Sequence, residues 1–159
     1  MVWESSMTTQ EIEFRRLSAG DVAGMVEFLA ALAAAGDDRW FHPHPFDRVA
    51  VERLANPSCR DEYRLAVVQG AIMGYGMLRG WEEGWAVPSL GLAIHPRYRG
   101  QGAGRRLMVH LHERARFRGA DTVRLKVYRT NGAAIALYTS LGYRFEPCSE
   151  TELLGLLSL

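Results

Sequence analysis

The sequence is short of several things. Lysine occurs once, at Lys126, so nearly all the positive charge is arginine. A codon bias explains that as well as a function would. Cysteine occurs twice, at Cys59 and Cys148, in no spacing used by metal or dithiol chemistry. A chain of 159 residues buries enough core to need no disulfide, so a reducing cytoplasm suits it. No apolar run approaches the roughly 20 residues of a membrane span. The opening "MVWESSMTTQ" lacks the basic start and apolar stretch of a secretion signal. Net charge is only +1, which argues against bulk attraction to nucleic acid or to a membrane surface. No repeat and no low-complexity linker divides the chain. The expected organisation is a loose polar tail over 1–10 and one domain over 11–159.

What is present is a patterned chain. Ile12, Phe14 and Leu17 alternate as a first strand, and Ser18 or Asp21 can cap a helix carrying Val22, Met25, Leu29 and Leu32. The loop "GDDRWFHPHPFD" (36–47) precedes a short helix that stops before Pro57. Residues 62–81 read as two strands around Gln69-Gly70, and 86–94 as a third with Leu90, Leu92 and Ile94 on one face. A helix to about Arg118 buries Leu107, Met108, Leu111 and Ala115. A strand over 121–128, a helix over 131–142 stopped by Gly142, and two last strands complete the chain. Early hairpins followed by strand, helix, strand require a mixed sheet, with one parallel pair and helices on both faces.

The stretch "HPRYRGQGAGRRLM" (95–108) places Gly100, Gly102 and Gly104 between arginines, at a helix start. Glycine admits positive φ and close approach to the backbone. Successive N–H groups in such a turn, with the first donors of the helix, make an anion cradle. A Walker loop is excluded, because Arg105 stands where Gly-Lys would begin. A dinucleotide fingerprint is excluded by the same arginine.

Arg99-x-x-Gly102-x-Gly104 resembles the acyl-CoA pyrophosphate loop of the GNAT acetyltransferase superfamily. "YRTNGAAIALYTSLGYRFEP" (128–147) resembles the next segment of that family. The resemblance extends over nearly the whole chain. It implies an α/β fold with a mixed sheet of about seven strands, splayed at a parallel pair to admit CoA, with Gly91 a candidate bulge. It implies backbone contacts to the pantetheine arm and thioester at Leu92, Ala93 and Ile94. The pyrophosphate would lie on Arg99, Gly100, Gln101, Gly102, Ala103, Gly104 and Arg105. Asn131 would touch the CoA arm, and Tyr138 would stand beside the sulfur. Asn131 and Tyr138 are two helical turns apart and so share a face.

By residue type, His42, His44, Asp47, Glu82, Glu83 and His95 are all eligible as base. The resemblance favours His42, His44, Glu82 and Glu83, because the early loop and the loop before the cofactor strand line the family's acceptor site. His95, beside Pro96, reads as a strand terminator. His110 and His112, two apart on a helix, cannot face one metal, and no metal is expected. The basic end at Arg114, Arg116 and Arg118 reads as a solvated face that complements the helix dipole. The implied activity is acetyl-CoA-dependent N-acetylation of a small primary amine. A protein N-terminus or lysine is the rival acceptor, and an acyl-CoA sensor the non-catalytic rival. A homodimer is left open.

Overall fold

Strand β2 (Glu62–Val68) turns into β3 (Ala71–Arg79) at Gln69-Gly70. Both turn residues have positive φ, 49° and 79°, the geometry that matches the twist of a two-residue hairpin. The computed structural model describes residues 11–159, and the tail expected over 1–10 lies outside the described residues. Strand β1 (Glu13–Arg16) pairs antiparallel with β2, and β4 (Ser89–Ile94) with β3. Beyond β4 come β5 (Thr122–Tyr128), β6 (Arg144–Pro147) and β7 (Glu152–Ser158). The seven-stranded sheet has the order β1-β2-β3-β4-β5-β7-β6.

Strand alternation divides the core into two layers. Leu65 and Val67 of β2 and Tyr75 and Met77 of β3 pack with Met25, Leu29 and Leu32 of α1 (Val22–Ala34) and Val51 of α2 (Arg48–Leu54). On the opposite face, Ala66, Leu78, Leu90, Val123 and Leu125 meet Leu107, Met108 and Leu111 of α3 (Ala103–Phe117). Helix α4 (Gly132–Ser140) adds Ile135, Leu137 and Tyr138 to this second layer.

Two expectations are corrected. Gly91 carries no bulge: the β3–β4 register runs without a break from Arg79↔Ser89 to Gly74↔Ile94, and the irregularity in this half lies at Ala66/Val67. Gly91 instead gives room to its neighbours, because a Cβ there would stand 3.3 Å from Met77 Cγ. The basic end of α3 is not simply solvated. Arg114 Nε donates to Glu62 Oε1 at 2.7 Å, and Arg118 Nη1 to Oε2 at 3.3 Å. Glu62, at the start of β2, is 7% exposed, and a buried carboxylate requires such partners.

Candidate active site

The site begins where β4 and β5 part. Their parallel pairing is confined to Ser89↔Arg124, with Arg124 N–H donating to Pro88 O at 3.0 Å. Both strands nevertheless continue, β4 along β3 and β5 along β7. His95 N–H donates to Met73 O at 2.8 Å. Antiparallel bonds alternate along a strand, so Ala93 and Gly91 also bond toward β3, while Leu92 and Ile94 aim their N–H and C=O groups at β5. By the same alternation from Arg129 N–H on Thr151 O, Lys126 and Tyr128 aim theirs at β4. The gap is thus walled by two polar strand edges.

The glycine turn closes one end of the gap. Gly100 and Gly102 have φ of 72° and 78°, with open space where a Cβ would stand. Gly102 is the N-cap of α3. The first intrahelical bond there is Arg106 N–H to Gly102 O, 3.2 Å, so the N–H groups of Ala103, Gly104 and Arg105 have no helical acceptor. Gly104 serves packing instead: a Cβ would meet Leu137 Cδ2 at 3.3 Å. Two of the flanking arginine side chains already have partners. Arg99 pairs with Asp37, and Arg105 Nη2 donates to Ser140 Oγ at 2.6 Å. The backbone N–H groups at the start of α3 are therefore free donors for an anion, with Arg99 beside them on the cavity lining.

Asn131 Oδ1 accepts from Ala134 N–H at 3.3 Å and so caps α4. Tyr138 lies on the same helix, and its ring centroid is 5.8 Å from that of Tyr143. Burial pushes the Tyr138 hydroxyl up to about 12. That hydroxyl is fully protonated at neutral pH and is a proton donor, not a base.

One cavity of about 530 Å³ unites these parts. Of the residues expected to bind cofactor, Leu92, Ala93, Ile94, Arg99, Gly100, Gly102, Ala103, Gly104, Asn131 and Tyr138 line it, whereas Gln101 and Arg105 do not. The turn, the open strand edges and the unpaired helix start fit a long anionic thioester such as an acyl-CoA.

The opposite wall comes from the 36–47 loop. Trp40 and Phe41 line the cavity, and Trp40 lies 5.9 Å from the Tyr128 ring. His42 and His44 are not among the lining residues. His42 is exposed, with Nε2 2.8 Å from Tyr128 Oη, which ties the loop to β5. His44 Nδ1–H donates to Pro45 O at 2.9 Å. Its Nε2 lone pair therefore accepts from the hydroxyl of fully buried Tyr75, also at 2.9 Å. Burial lowers the His44 pKa, and the nearby Arg79 charge lowers it further. Glu83 is exposed in the turn after β3, away from the cavity lining, and the Glu82 carboxylate accepts from Arg60 N–H. His95 Nδ1 accepts from Arg97 N–H at 3.1 Å and caps the turn after β4.

His110 and His112 diverge as their spacing requires: His110 stacks on Phe14 at 4.5 Å, and His112 bonds Tyr143 Oη at 2.7 Å. No trio of His, Cys, Asp or Glu side chains forms a metal-ligand set among the described residues. Asp37, Arg39, Tyr98, Lys126 and Tyr128 also line the cavity and were not singled out from sequence as site residues. The uniqueness of Lys126 and the ring-rich loop were the only signals near them.

The model of the acetyltransferase (GNAT) family matches residues 20–143. The N-alpha-acetyltransferase RimI of Mycobacterium tuberculosis is 33% identical over 138 residues, 86% of this chain and 80% of that protein. The ribosomal protein bS18-alanine N-acetyltransferase of Escherichia coli is 48% identical over 52 residues. That match spans 33% of this chain and about a third, 35%, of the curated relative. Among solved structures, the PaiA N-acetyltransferase of Thermoplasma acidophilum in complex with coenzyme A superposes with a TM-score of 0.79 at 16% identity, over 94% of this chain and 99% of that one. The sequence match and the fold agree, and this chain belongs to the GNAT acetyltransferase family.

Proposed function

We propose that the protein transfers the acetyl group of acetyl-CoA to the α-amine of a polypeptide N-terminus. The observation that carries the acceptor assignment is the charge of the cavity. Its one lining carboxylate among the described residues, Asp37, is paired with Arg99, while Lys126 and Arg39 also line it. A cationic site with no free carboxylate disfavours an amine that is almost wholly protonated. An α-amine has a pKa of about 7.7–8.0, so roughly a fifth or more is neutral at pH ~7.4, against about one in a thousand for an alkylamine near 10.4. Such an acceptor asks little of a base. The likeness to an N-alpha-acetyltransferase supports the same reading.

The neutral amine nitrogen attacks the thioester carbonyl carbon, and the C–S bond breaks as the C–N bond forms. The backbone N–H groups of Leu92 and Ile94 face the gap and are placed to receive the developing oxyanion. Tyr138 hydrogen-bonds the departing thiolate and supplies the proton it takes up, and the hydroxyl is restored by a proton from solvent. The proton lost from the amine leaves to solvent or through the His42–Tyr128 pair. Holding both reactants in one cavity supplies much of the remaining rate.

The test is an acceptor panel with acetyl-CoA, read as thiol release and product mass. It contains peptides with free N-termini, N-blocked lysine peptides, a polyamine and an amino sugar. Free N-terminal peptides are expected to lead. Turnover of the amino sugar or polyamine alone would return the acceptor to the small amines expected from sequence. CoA binding without turnover of any acceptor would make the protein a sensor.

A further inference from the structure

Lys126 is the one lysine of the chain, and it lines the cavity. Val123, Leu125 and Val127 of β5 face the α3 layer, so Arg124, Lys126 and Tyr128 face the other way, toward the 36–47 loop. The Tyr128–His42 bond confirms that face. Lys126 is exposed and makes no ion pair or hydrogen bond with the described residues. Arg124, two positions back and some 7 Å along the strand, has its Nε buried without a hydrogen-bond partner. Its guanidinium carbon stands 5.7 Å from the Trp85 ring.

The surrounding rows supply no counter-charge. On β7, Leu156 is in register with Arg124 and Leu154 with Lys126. On β4, Ser89 is in register with Arg124. The nearest carboxylate by register, Glu152, lies one row on, opposite Tyr128, and forms no salt bridge with Lys126. Arg79, across the sheet from Ser89, donates to Pro43 O at 2.9 Å and is committed to the loop. Two cations thus share one face of β5: Lys126 on the cavity lining, and Arg124 behind it at the closed end of the gap, outside the lining, with an unsatisfied buried donor.

We infer that Lys126, backed by Arg124, binds a carboxylate of the acceptor close to its reacting amine. The preferred acceptor is then a polypeptide with Asp or Glu at its second position. This rests on the N-terminal reading above. A partly exposed pair of this kind is worth about 1 kcal/mol, or roughly fivefold in kcat/KM.

The experiment compares free N-terminal peptides that differ only as Ala-Glu against Ala-Gln, and alanine against alanine amide. Each is assayed with the wild-type chain and with Lys126→Gln, Lys126→Glu and Lys126→Arg. The readout is the acid-to-neutral ratio of kcat/KM within each variant, each constant expressed per neutral amine because alanine holds its ammonium proton more tightly than its amide does; a general loss of activity does not move this ratio. The expected ratio is about fivefold in the wild type and in Lys126→Arg, near one in Lys126→Gln, and inverted in Lys126→Glu. A wild-type ratio of one or below in both pairs overturns the inference. So does a wild-type ratio that Lys126→Gln leaves unchanged. If the peptides are inert but alanine is preferred over its amide, the N-terminal reading fails while the carboxylate site stands.

Discussion

The two ends of the cavity are built from different materials. The end we assign to the cofactor is backbone: the turn at Gly100 and Gly102, the start of α3 without a side-chain cap, and the open edges of β4 and β5. Of its arginines, Arg99 stays on the cavity lining but is paired there with Asp37, and Arg105 is off the lining, bonded to Ser140. The end we assign to the acceptor is side chain: Trp40, Phe41, Tyr128 and Lys126, with His42 and His44 holding the loop. Backbone recognition suits a ligand that never changes. Side-chain recognition can be altered one residue at a time. Substitutions should therefore act abruptly at the first end and gradually at the second.

The largest effect is expected at Gly102. Its φ of 78° strains any L side chain, and Gly102→Glu would set a carboxylate beside the N–H groups offered to phosphate. Loss of two charge-assisted bonds weakens CoA binding by at least ~100-fold. Calorimetry on a variant that still melts cooperatively checks this. Unchanged affinity would move the phosphates away from the turn and remove the contrast between the two ends.

Next is Tyr138, where the two ends meet. Tyr138→Phe keeps the ring against Tyr143 and removes only the hydroxyl. With that hydroxyl pushed up to about 12, it stays a donor across the working range. Its loss should lower kcat by roughly 10²-fold at unchanged CoA affinity. Single-turnover measurement separates chemistry from product release. A wild-type rate there would make Tyr138 a core tyrosine.

The same contrast explains what was legible in the sequence. A backbone site leaves a spacing signature, because only glycine tolerates the turn and only fixed intervals keep Asn131 and Tyr138 on one helix face. The strands and helices were legible for the same reason, since apolar periodicity is local. Side-chain sites leave composition without address. "WFHPHPFD" offered histidines eligible by type, yet did not tell that Phe41 would be buried, His42 exposed and His44 bound to Tyr75, 31 residues away. The Arg99–Asp37 and Arg114–Glu62 pairs join residues 62 and 52 apart, with no local pattern to announce them. Gly91 was misplaced as a bulge because a glycine in a strand has two uses, and neighbouring side chains decide between them.

The smallest expected effect is at His44. Its lone pair accepts from Tyr75 and its N–H is on Pro45 O, so it positions the acceptor loop and does not touch the amine. His44→Ala leaves the Tyr75 hydroxyl buried without a partner, a cost of about 1–3 kcal/mol. Tyr75→Phe in the same chain removes that hydroxyl and should recover part of the loss, a coupling that a double-mutant cycle measures. The acceptor KM should rise a few-fold, about 3–5, with CoA affinity unmoved. The pH dependence adds a readout that simple truncation does not share. The folded pKa of His44 is depressed, by burial first. The unfolded chain therefore takes up the proton first, near pH ~6.5. The stability that neutral His44 contributes is present above that pH and is lost as pH falls through the folded pKa. Urea denaturation of the wild type against Tyr75→Phe/His44→Ala, at pH ~7.5 and pH ~5, should show the gap between them narrowing on acidification. A gap that is constant or widens would mean that burial does not hold the ring neutral in the fold. His44 would then be free to join His42 in carrying away the amine's proton.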